Sequence, residues 1–265
     1  MLKRLHFYWR IWLLWATNAF QATFVNRGTN AIFLIAKLAR FGMSLVFLLL
    51  LRQNIDSFAQ YSTDELVVFF LIYQWIDLFS QSVFRGVYKF GQLVRNGEFD
   101  FDLLKPIHPL FRALMGSPDI NDVLLILPTI GVSIWILSFL EVSITLGSVL
   151  GFSVLALNGL LIATALHICV LSLAIITTDI DSMVWLYRDL SRLGQFPVTM
   201  YMELVRFSLF FLVPIGMMIT IPAEVLLNIE PSQAIWVTLV IGGGFFAASI
   251  ALWNWSLKRY TSASS

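Results

Sequence analysis

The stretch RNGEFDFDLLKPIHP, residues 95–109, interrupts a chain that is otherwise strongly apolar. Three acids alternate in it with phenylalanine and leucine, Gly97 permits a turn, and Pro106 ends or redirects the element. No apolar span can absorb this stretch, because its charges would lose their hydration without compensation. We therefore expect it to face water or another protein, either as a solvated loop between two membrane helices or as a docking element for a soluble partner.

The composition around this stretch is that of a polytopic membrane protein. Of the 265 residues, 58% are hydrophobic and 12% are charged, and the mean hydropathy is +0.82. Soluble domains carry roughly 25% charged residues. The length allows one membrane domain, residues 1–265, and no sizeable soluble domain. The net charge of +1 does not indicate a nucleic-acid partner, and the single cysteine, Cys169, excludes an intramolecular disulfide.

The apolar segments predict an all-α protein with about six transmembrane helices. They lie at residues 31–51, 66–84, 123–140, 148–176, 207–221 and 234–253. Basic residues precede the first span, separate the second from the third and the fourth from the fifth, and follow the last, whereas the other connections hold only Arg52. Because positive residues stay on the cytoplasmic side, both termini are predicted to be cytoplasmic, with cytoplasmic loops at 85–118 and 177–200.

Residues 1–27 are predicted to form an amphipathic helix in the membrane interface. His6, Arg10, Thr17 and Gln21 share one face of such a helix, and several tryptophans spread over the rest. Tryptophan favours the headgroup region. The alternative is a poor first spanning helix.

Four ionisable residues inside the predicted spans are candidate functional groups: Lys37, Arg40, Asp77 and His167. A charge at mid-bilayer costs roughly 2.5–3.5 kcal/mol on insertion scales. Lys37 and Arg40 therefore either snorkel to the inner surface or face a substrate path. Asp77 either pairs with Lys37, Arg40 or Arg85 or relays protons, and His167 either bonds a neighbouring helix or joins that relay. A relay through Asp77 and His167 would make the chain an ion- or proton-coupled secondary transporter.

The sequence lacks the motifs of common nucleotide and catalytic sites. It contains no G-x-x-x-x-G-K-[ST] phosphate loop, no H-E-x-x-H motif and no G-x-S-x-G nucleophile motif. We therefore expect no enzyme activity, cofactor or metal in this chain.

Residues 97–110 resemble the cytoplasmic signature of one group of ABC-2 type permeases, the membrane subunits of bacterial ABC exporters. The pattern is Gly97-Glu98-Phe99-Asp100-x-x-Leu103-x-Lys105-Pro106-x-x-Pro109-Leu110, with Lys105 where the group often has arginine. The tail from Leu257 to Ser264 is similar to the ending of that group. Pro214-Ile215 with Pro222-Ala223 is similar to its fifth-span pattern.

The resemblance implies a six-span permease of the bacterial inner membrane without its own ATPase domain. Such a permease pairs with a second copy or a sister permease over two copies of a separate ATPase, which holds ATP and Mg²⁺. The loop at 85–118 would carry the coupling helix that contacts this ATPase. The residues implied for coupling are Arg95, Gly97, Glu98, Phe99, Asp100, Asp102, Leu103, Lys105 and Pro106.

These residues also suit a docking role on physical grounds. A docking helix needs apolar anchors and charges that set its register. Phe99, Phe101 and Leu103 are the predicted anchors. Asp100 and Asp102 are predicted to meet bases on the partner.

Overall fold

The computed structural model describes residues 2–177, 180–229 and 233–261, and most of them are helical. The first half of the chain forms α1 (Leu2–Val25), α2 (Arg27–Asn54), α3 (Thr63–Phe84), α4 (Val87–Arg95), α5 (Glu98–Leu103), α6 (Pro109–Met115) and α7 (Ile120–Leu137). The second half forms α8 (Leu146–Thr177), α9 (Ile180–Arg192), α10 (Glu203–Phe207), α11 (Ile221–Leu226) and α12 (Gln233–Leu257). Residues 178–179 of the predicted second loop and 262–265 of the predicted tail lie outside the described residues.

The remaining elements are short. Two-residue strands, β1 (Ser57–Phe58) and β2 (Tyr61–Ser62), form an antiparallel hairpin before α3. Helical turns of the 3-10 type follow α9, at Leu193–Gln195 and Val198–Met200, and π-helical turns lie at Ser208–Leu212 and Gly216–Thr220.

Among the described residues, five helical segments are long and apolar enough to cross a membrane: α2, α3 with α4, α7, α8 and α12. A bent pair, Glu203–Leu212 and Gly216–Leu226, meets at 77° and would bring the number to six if it formed one span. The predicted fold class, an all-α polytopic membrane protein, is confirmed.

Local sequence fixes where two of these helices begin. At the start of α3, Ser62 Oγ accepts from the Glu65 N–H at 3.2 Å, and Glu65 Oε2 accepts from the Ser62 N–H at 2.7 Å. These reciprocal bonds satisfy backbone groups that a helix start leaves unpaired. At the start of α7, the Asp119 carboxylate accepts from the Asn121 N–H at 2.9 Å.

The helices meet in a bundle with two chemically different ends. One end, called the basic end here, is where α3 ends and α7 begins, and its connections carry Arg85, Lys89, Arg95, Lys105 and Arg112. The opposite end, called the far end, holds the β-hairpin and the turn between α7 and α8. There Arg52 pairs with Asp64, and Asp64 Oδ2 accepts from the Glu141 N–H at 2.8 Å.

Both ends of the described chain contact the basic end. In α1, the Tyr8 ring lies 4.7 Å from Phe111 of α6, between ring centroids. Past α12, the Tyr260 ring lies 5.2 Å from Phe99 of α5. The two chain ends therefore lie on the same side of the bundle, and the cytoplasmic placement of that side stays a prediction.

Residues 180–200 run from the basic end to the far end and begin with a helix, which is the surface-helix alternative for this segment rather than a loop confined to the basic end. In α9, the Arg188 guanidinium lies 5.7 Å from the Tyr88 ring in α4. Near its finish, Thr199 Oγ1 lies 2.6 Å from the Tyr61 hydroxyl in β2. The charges of this segment fit a loop or a surface helix, and α9 is an amphipathic helix that packs along the bundle.

The bent pair starts and finishes at the far end, which corrects the prediction of a fifth span at 207–221. It follows Thr199, and beyond α11 Asn228 Nδ2 donates to the Ser143 carbonyl at 2.8 Å in the turn between α7 and α8. The break at its centre contains Pro214, which has no N–H to donate. The π-helical turn that follows, Gly216–Thr220, is buried by protein, as irregular backbone in a membrane protein must be.

Close contact between α8 and α12 forms the largest helix pairing of the bundle. Asn158 Nδ2 in α8 donates to the Thr238 carbonyl in α12 at 3.0 Å. A Cβ atom at Gly242 would lie only 2.3 Å from Asn158 Oδ1. The helices approach this closely because Gly242 has no side chain.

Candidate functional site

The sequence 95–109 forms a helical corner at the basic end, with α4 before it and α5 after it. Gly97 joins the two helices with φ +73°, in the left-handed region that favours glycine, as predicted. Its N–H donates to the Val94 carbonyl at 3.2 Å. The turn gives α5 a direction different from that of the preceding helix, α4.

The inward face of α5 is anchored in an aromatic cluster. Phe99 is 1% exposed, and its ring centroid lies 4.9 Å from Phe90, 5.2 Å from Tyr260 and 6.5 Å from Trp253. The prediction that Phe99 contacts a partner is therefore wrong. It instead fixes α5 to α4 and to the chain that follows α12, because these aromatic side chains bury it completely.

Asp102 also faces inward and pairs within the chain. It is 5% exposed, its Oδ1 accepts from Lys105 Nζ at 2.6 Å, and its Oδ2 lies 3.6 Å from Arg112 Nε. The prediction that Asp102 meets bases of a partner is wrong, because two bases of its own chain already bind it. These pairs tie α5 to α6.

The outer face of α5 remains open, and we define it by Glu98, Phe101, Leu103 and Leu104. Phe101 is 67% exposed and Leu104 is 83% exposed, a large apolar surface for so short a helix at the basic end. Of the other predicted coupling residues, Arg95, Lys105 and Pro106 are also exposed. Leu104 ends the segment Val94 to Leu104 for which the resemblance implies coupling but is not among the predicted anchors, although its spacing of three from Phe101 indicates a shared helical face.

Asp100 lies between these two faces, next to the end of the chain. It is half-buried beside Tyr260. Burial and the neighbouring Asp100 carboxylate raise the pKa of Tyr260 to about 12. Burial, with the Asp100 carboxylate beside it, therefore extends the pH range in which the Tyr260 hydroxyl stays protonated.

Lys37 lies at the basic end, which explains a charge that the sequence placed inside the first span. Its Nζ lies 2.7 Å from Asp122 Oδ1 and 3.1 Å from Asp119 Oδ2, and Arg85 Nε lies 3.5 Å from Asp119 Oδ2. Burial opposes ionisation of Asp119, but the charges of Lys37 and Arg85 outweigh it and lower its pKa. Since α2 has 28 residues and is about 42 Å long, it extends beyond the hydrocarbon core.

Asp77 and His167 have different surroundings. Asp77 lines a cavity together with Arg40 and Arg188. Among the described residues, no basic nitrogen lies within 4 Å of the Asp77 carboxylate, the limit for an ion pair. His167 is fully buried and does not line that cavity. Its Nδ1 donates to the Ala163 carbonyl at 2.7 Å, so the predicted bond to a neighbouring helix is wrong.

The fold and the site define a multi-pass membrane protein with a helical corner exposed at one end. Residues 38–264 match the family described as ABC-2 family transporter protein. Because this match covers most of the chain, the chain belongs to the ABC-2 transporter membrane proteins. It is a membrane transport component, not a catalytic enzyme by itself, and the family implies an ATP-binding partner subunit. Comparisons with curated proteins and with solved structures gave no significant match.

Proposed function

We propose that the chain is the permease subunit of an ATP-driven exporter in the bacterial inner membrane, and that α5 is its contact with a separate ATPase. The outer face of α5 carries this proposal. Phe101 and Leu104 are large, exposed and apolar, and they lie on an element whose opposite face is fixed to the bundle. Exposed apolar anchors on a rigid support are what a stable protein contact requires.

The buried face of α5 gives the contact a mechanical role. When ATP closes the ATPase dimer, the partner pushes on the outer face of α5. Because Phe99 is seated between Phe90 and Tyr260, that push moves α4 and the end of α12 with α5. Asp102 carries the same displacement to α6 through Arg112. Cargo then leaves toward the far end, which would face outward.

The proposed assembly contains two copies of the ATPase and a second permease, either another copy of this chain or a sister chain. ATP and Mg²⁺ belong to the ATPase. The apolar surfaces of α2 and α12 are mostly exposed, as suits helices that contact lipid or the second permease. In this assembly α1, which exposes Leu5 and Trp9, lies at the membrane interface beside α6.

Native mass spectrometry of the complex, co-expressed with its neighbouring genes and extracted in mild detergent, tests the proposal. The double variant Phe101→Ala with Leu104→Ala should lose the ATPase, because truncating a central interface anchor costs about 2 kcal/mol or more, roughly 30-fold in affinity for each residue. Phe99→Ala does not serve this purpose, since Phe99 is buried.

A matched control is available at the far end. Phe139 and Leu146 are exposed to a similar degree, so Phe139→Ala with Leu146→Ala removes comparable apolar surface from the opposite end. The control should keep the ATPase. Retention of the ATPase by both double variants, or its absence from the wild-type complex, would contradict the proposal.

A further inference from the structure

A cavity of about 250 Å³ lies between α2, α3, α7 and α9. Arg85, at the basic end of α3, and Gln74, near the middle of α3, both line it. Eleven residues separate these positions in the sequence, which corresponds to a depth of about 16 Å in a helix. The cavity therefore extends from the level of the Lys37–Asp119 pair to the centre of the bundle.

The cavity carries an excess of positive charge. Its charged lining consists of four bases and two acids: Lys37, Arg40, Arg85, Arg188, Asp77 and Asp122. Asp119 binds Lys37 and Arg85 beside the cavity, and counting it still leaves one base in excess. Arg40 is exposed and Arg188 is half-buried at this cavity, and an excess of positive charge at a partly enclosed site attracts an anion.

The excess is concentrated on Arg40 and Arg188. Across the described ranges, neither guanidinium has a carboxylate oxygen within ion-pair distance, although both line the same cavity as Asp77. The Arg188 guanidinium is held over two rings, 5.7 Å from the Tyr88 centroid and 5.4 Å from the Trp185 centroid. Its position is thus set before any ligand arrives.

Gln81 adds a buried polar group with unused capacity. It is 6% exposed, lines the cavity, and its Oε1 has no hydrogen-bond partner among the described residues. Buried polar atoms are normally paired. Its amide also lies within hydrogen-bonding reach of the Asp77 carboxylate and the Tyr88 hydroxyl. A half-turn of the amide exchanges these contacts for N–H groups directed at the cavity, so Gln81 can donate to a bound anion.

Apolar residues continue the lining toward the membrane. Phe33 and Leu38 of α2 line the cavity and are also exposed on the outer surface of the helix. Lys37, one position away from Leu38, lies where α3 ends and α7 begins, which is the level of lipid headgroups when α3 and α7 span the bilayer. A ligand here meets charge on one side and an apolar helix surface on the other.

We propose that this cavity binds the anionic headgroup of an amphiphile, with its phosphate or carboxylate held by Arg40 and Arg188, Gln81 donating a further hydrogen bond, and its tail lying along α2. As a binding site the cavity is independent of the proposed function. The conclusion that such an amphiphile is the exported cargo rests on the proposed function.

Binding of short-chain lipids to the full chain, purified in a neutral maltoside detergent with whatever subunits co-purify, tests this site. The probes are dioctanoyl phosphatidic acid, dioctanoyl phosphatidylcholine and inorganic phosphate, measured by isothermal titration calorimetry. Phosphatidic acid should bind at least about tenfold more tightly than either of the others. Arg40→Gln and Arg188→Gln should each weaken it about tenfold, the usual effect of losing one charge-assisted hydrogen bond.

Two further variants sharpen the test. Asp77→Asn should tighten binding of phosphatidic acid severalfold, because it removes a negative charge that faces the same site. Arg206→Gln changes an exposed arginine outside the cavity and should leave binding unchanged. A loss of binding in Arg206→Gln equal to that in Arg188→Gln would show a general surface effect and overturn the proposal.

Each other outcome also decides the question. Equal binding of phosphatidic acid and phosphatidylcholine, or unchanged binding in both arginine variants, overturns the site. Inorganic phosphate that binds as tightly as phosphatidic acid overturns the amphiphile assignment, since the tail would then contribute nothing. If phosphatidic acid does not bind while the ATPase still co-purifies, this inference fails and the proposed function stands.

Discussion

Replacing Phe99 by alanine should release α5 from the bundle while leaving the spanning helices folded. Phe99 is buried against Phe90, Trp253 and Tyr260, so the substitution leaves a cavity where an aromatic ring was. Such a change costs about 3–5 kcal/mol in a well-packed core. Since α5 has six residues and Phe99 provides its main inward contact, the cost should appear as local opening of α5.

Hydrogen exchange measured by mass spectrometry reports this opening directly. A loss of about 3–4 kcal/mol in local stability should accelerate exchange in the peptide covering 98–104 by on the order of 100- to 1,000-fold. Peptides from α8 should keep their wild-type protection. The matched control is Phe101→Ala, two positions away and exposed, which should change exchange by less than about threefold.

Two results would refute this reasoning. Equal protection of residues 98–104 in the Phe99→Ala and Phe101→Ala variants would mean that the aromatic cluster does not hold α5. Loss of protection throughout α8 would mean that Phe99 supports the whole bundle, and α5 would then not be a separately anchored element.

Three other predictions concern single positions. Gly97→Ala places a side chain at positive φ, which costs about 1–2 kcal/mol of strain. Hydrogen exchange of the peptide covering 98–104 should therefore become faster, and unchanged exchange would contradict the strain. Gly242→Ala should lower the melting temperature, because its Cβ clashes with Asn158 at a cost of about 1–3 kcal/mol. Gly243→Ala is the control, since a Cβ there meets open space. Equal melting temperatures of the two variants would refute the close contact between Gly242 and Asn158. Tyr260, whose pKa is raised to about 12, stabilises its contacts below its ordinary pKa near 10 and loses that contribution as the pH rises through 12. The ultraviolet absorbance difference between wild type and Tyr260→Phe should therefore titrate near pH 12, and titration near pH 10 would contradict the burial.

Most of the spanning helices could be predicted from the sequence, because lipid imposes long apolar runs that few other environments tolerate. The helices α2, α3, α7, α8 and α12 coincide with predicted spans. The path of residues 180–200 could not be predicted in this way. Arg188 and Asp189 carry charges that usually mark an aqueous loop, and only the packing of α9 against α4 and α8 shows where they lie.

For the helical corner, the sequence predicted the position but not the orientation of its side chains. Acids and phenylalanines alternate from Glu98 to Asp102, and a helix of six residues is too short for its period to reveal which face is buried. Phe99 turns inward because it packs against Tyr260, which is distant from α5 in the sequence. Asp102 turns inward because it pairs with Arg112, which lies across a turn from α5. Such tertiary partners leave no local signal.

The contacts at the far end join connections that are distant in the sequence. Arg52 pairs with Asp64, and the Tyr61 hydroxyl bonds Thr199 and Glu224. With α3 about 33 Å long, a tilt of about 5° about these contacts would displace its basic end by about 3 Å. A small rotation held at the far end would thus become a displacement of atomic size at the basic end, where α5 is attached.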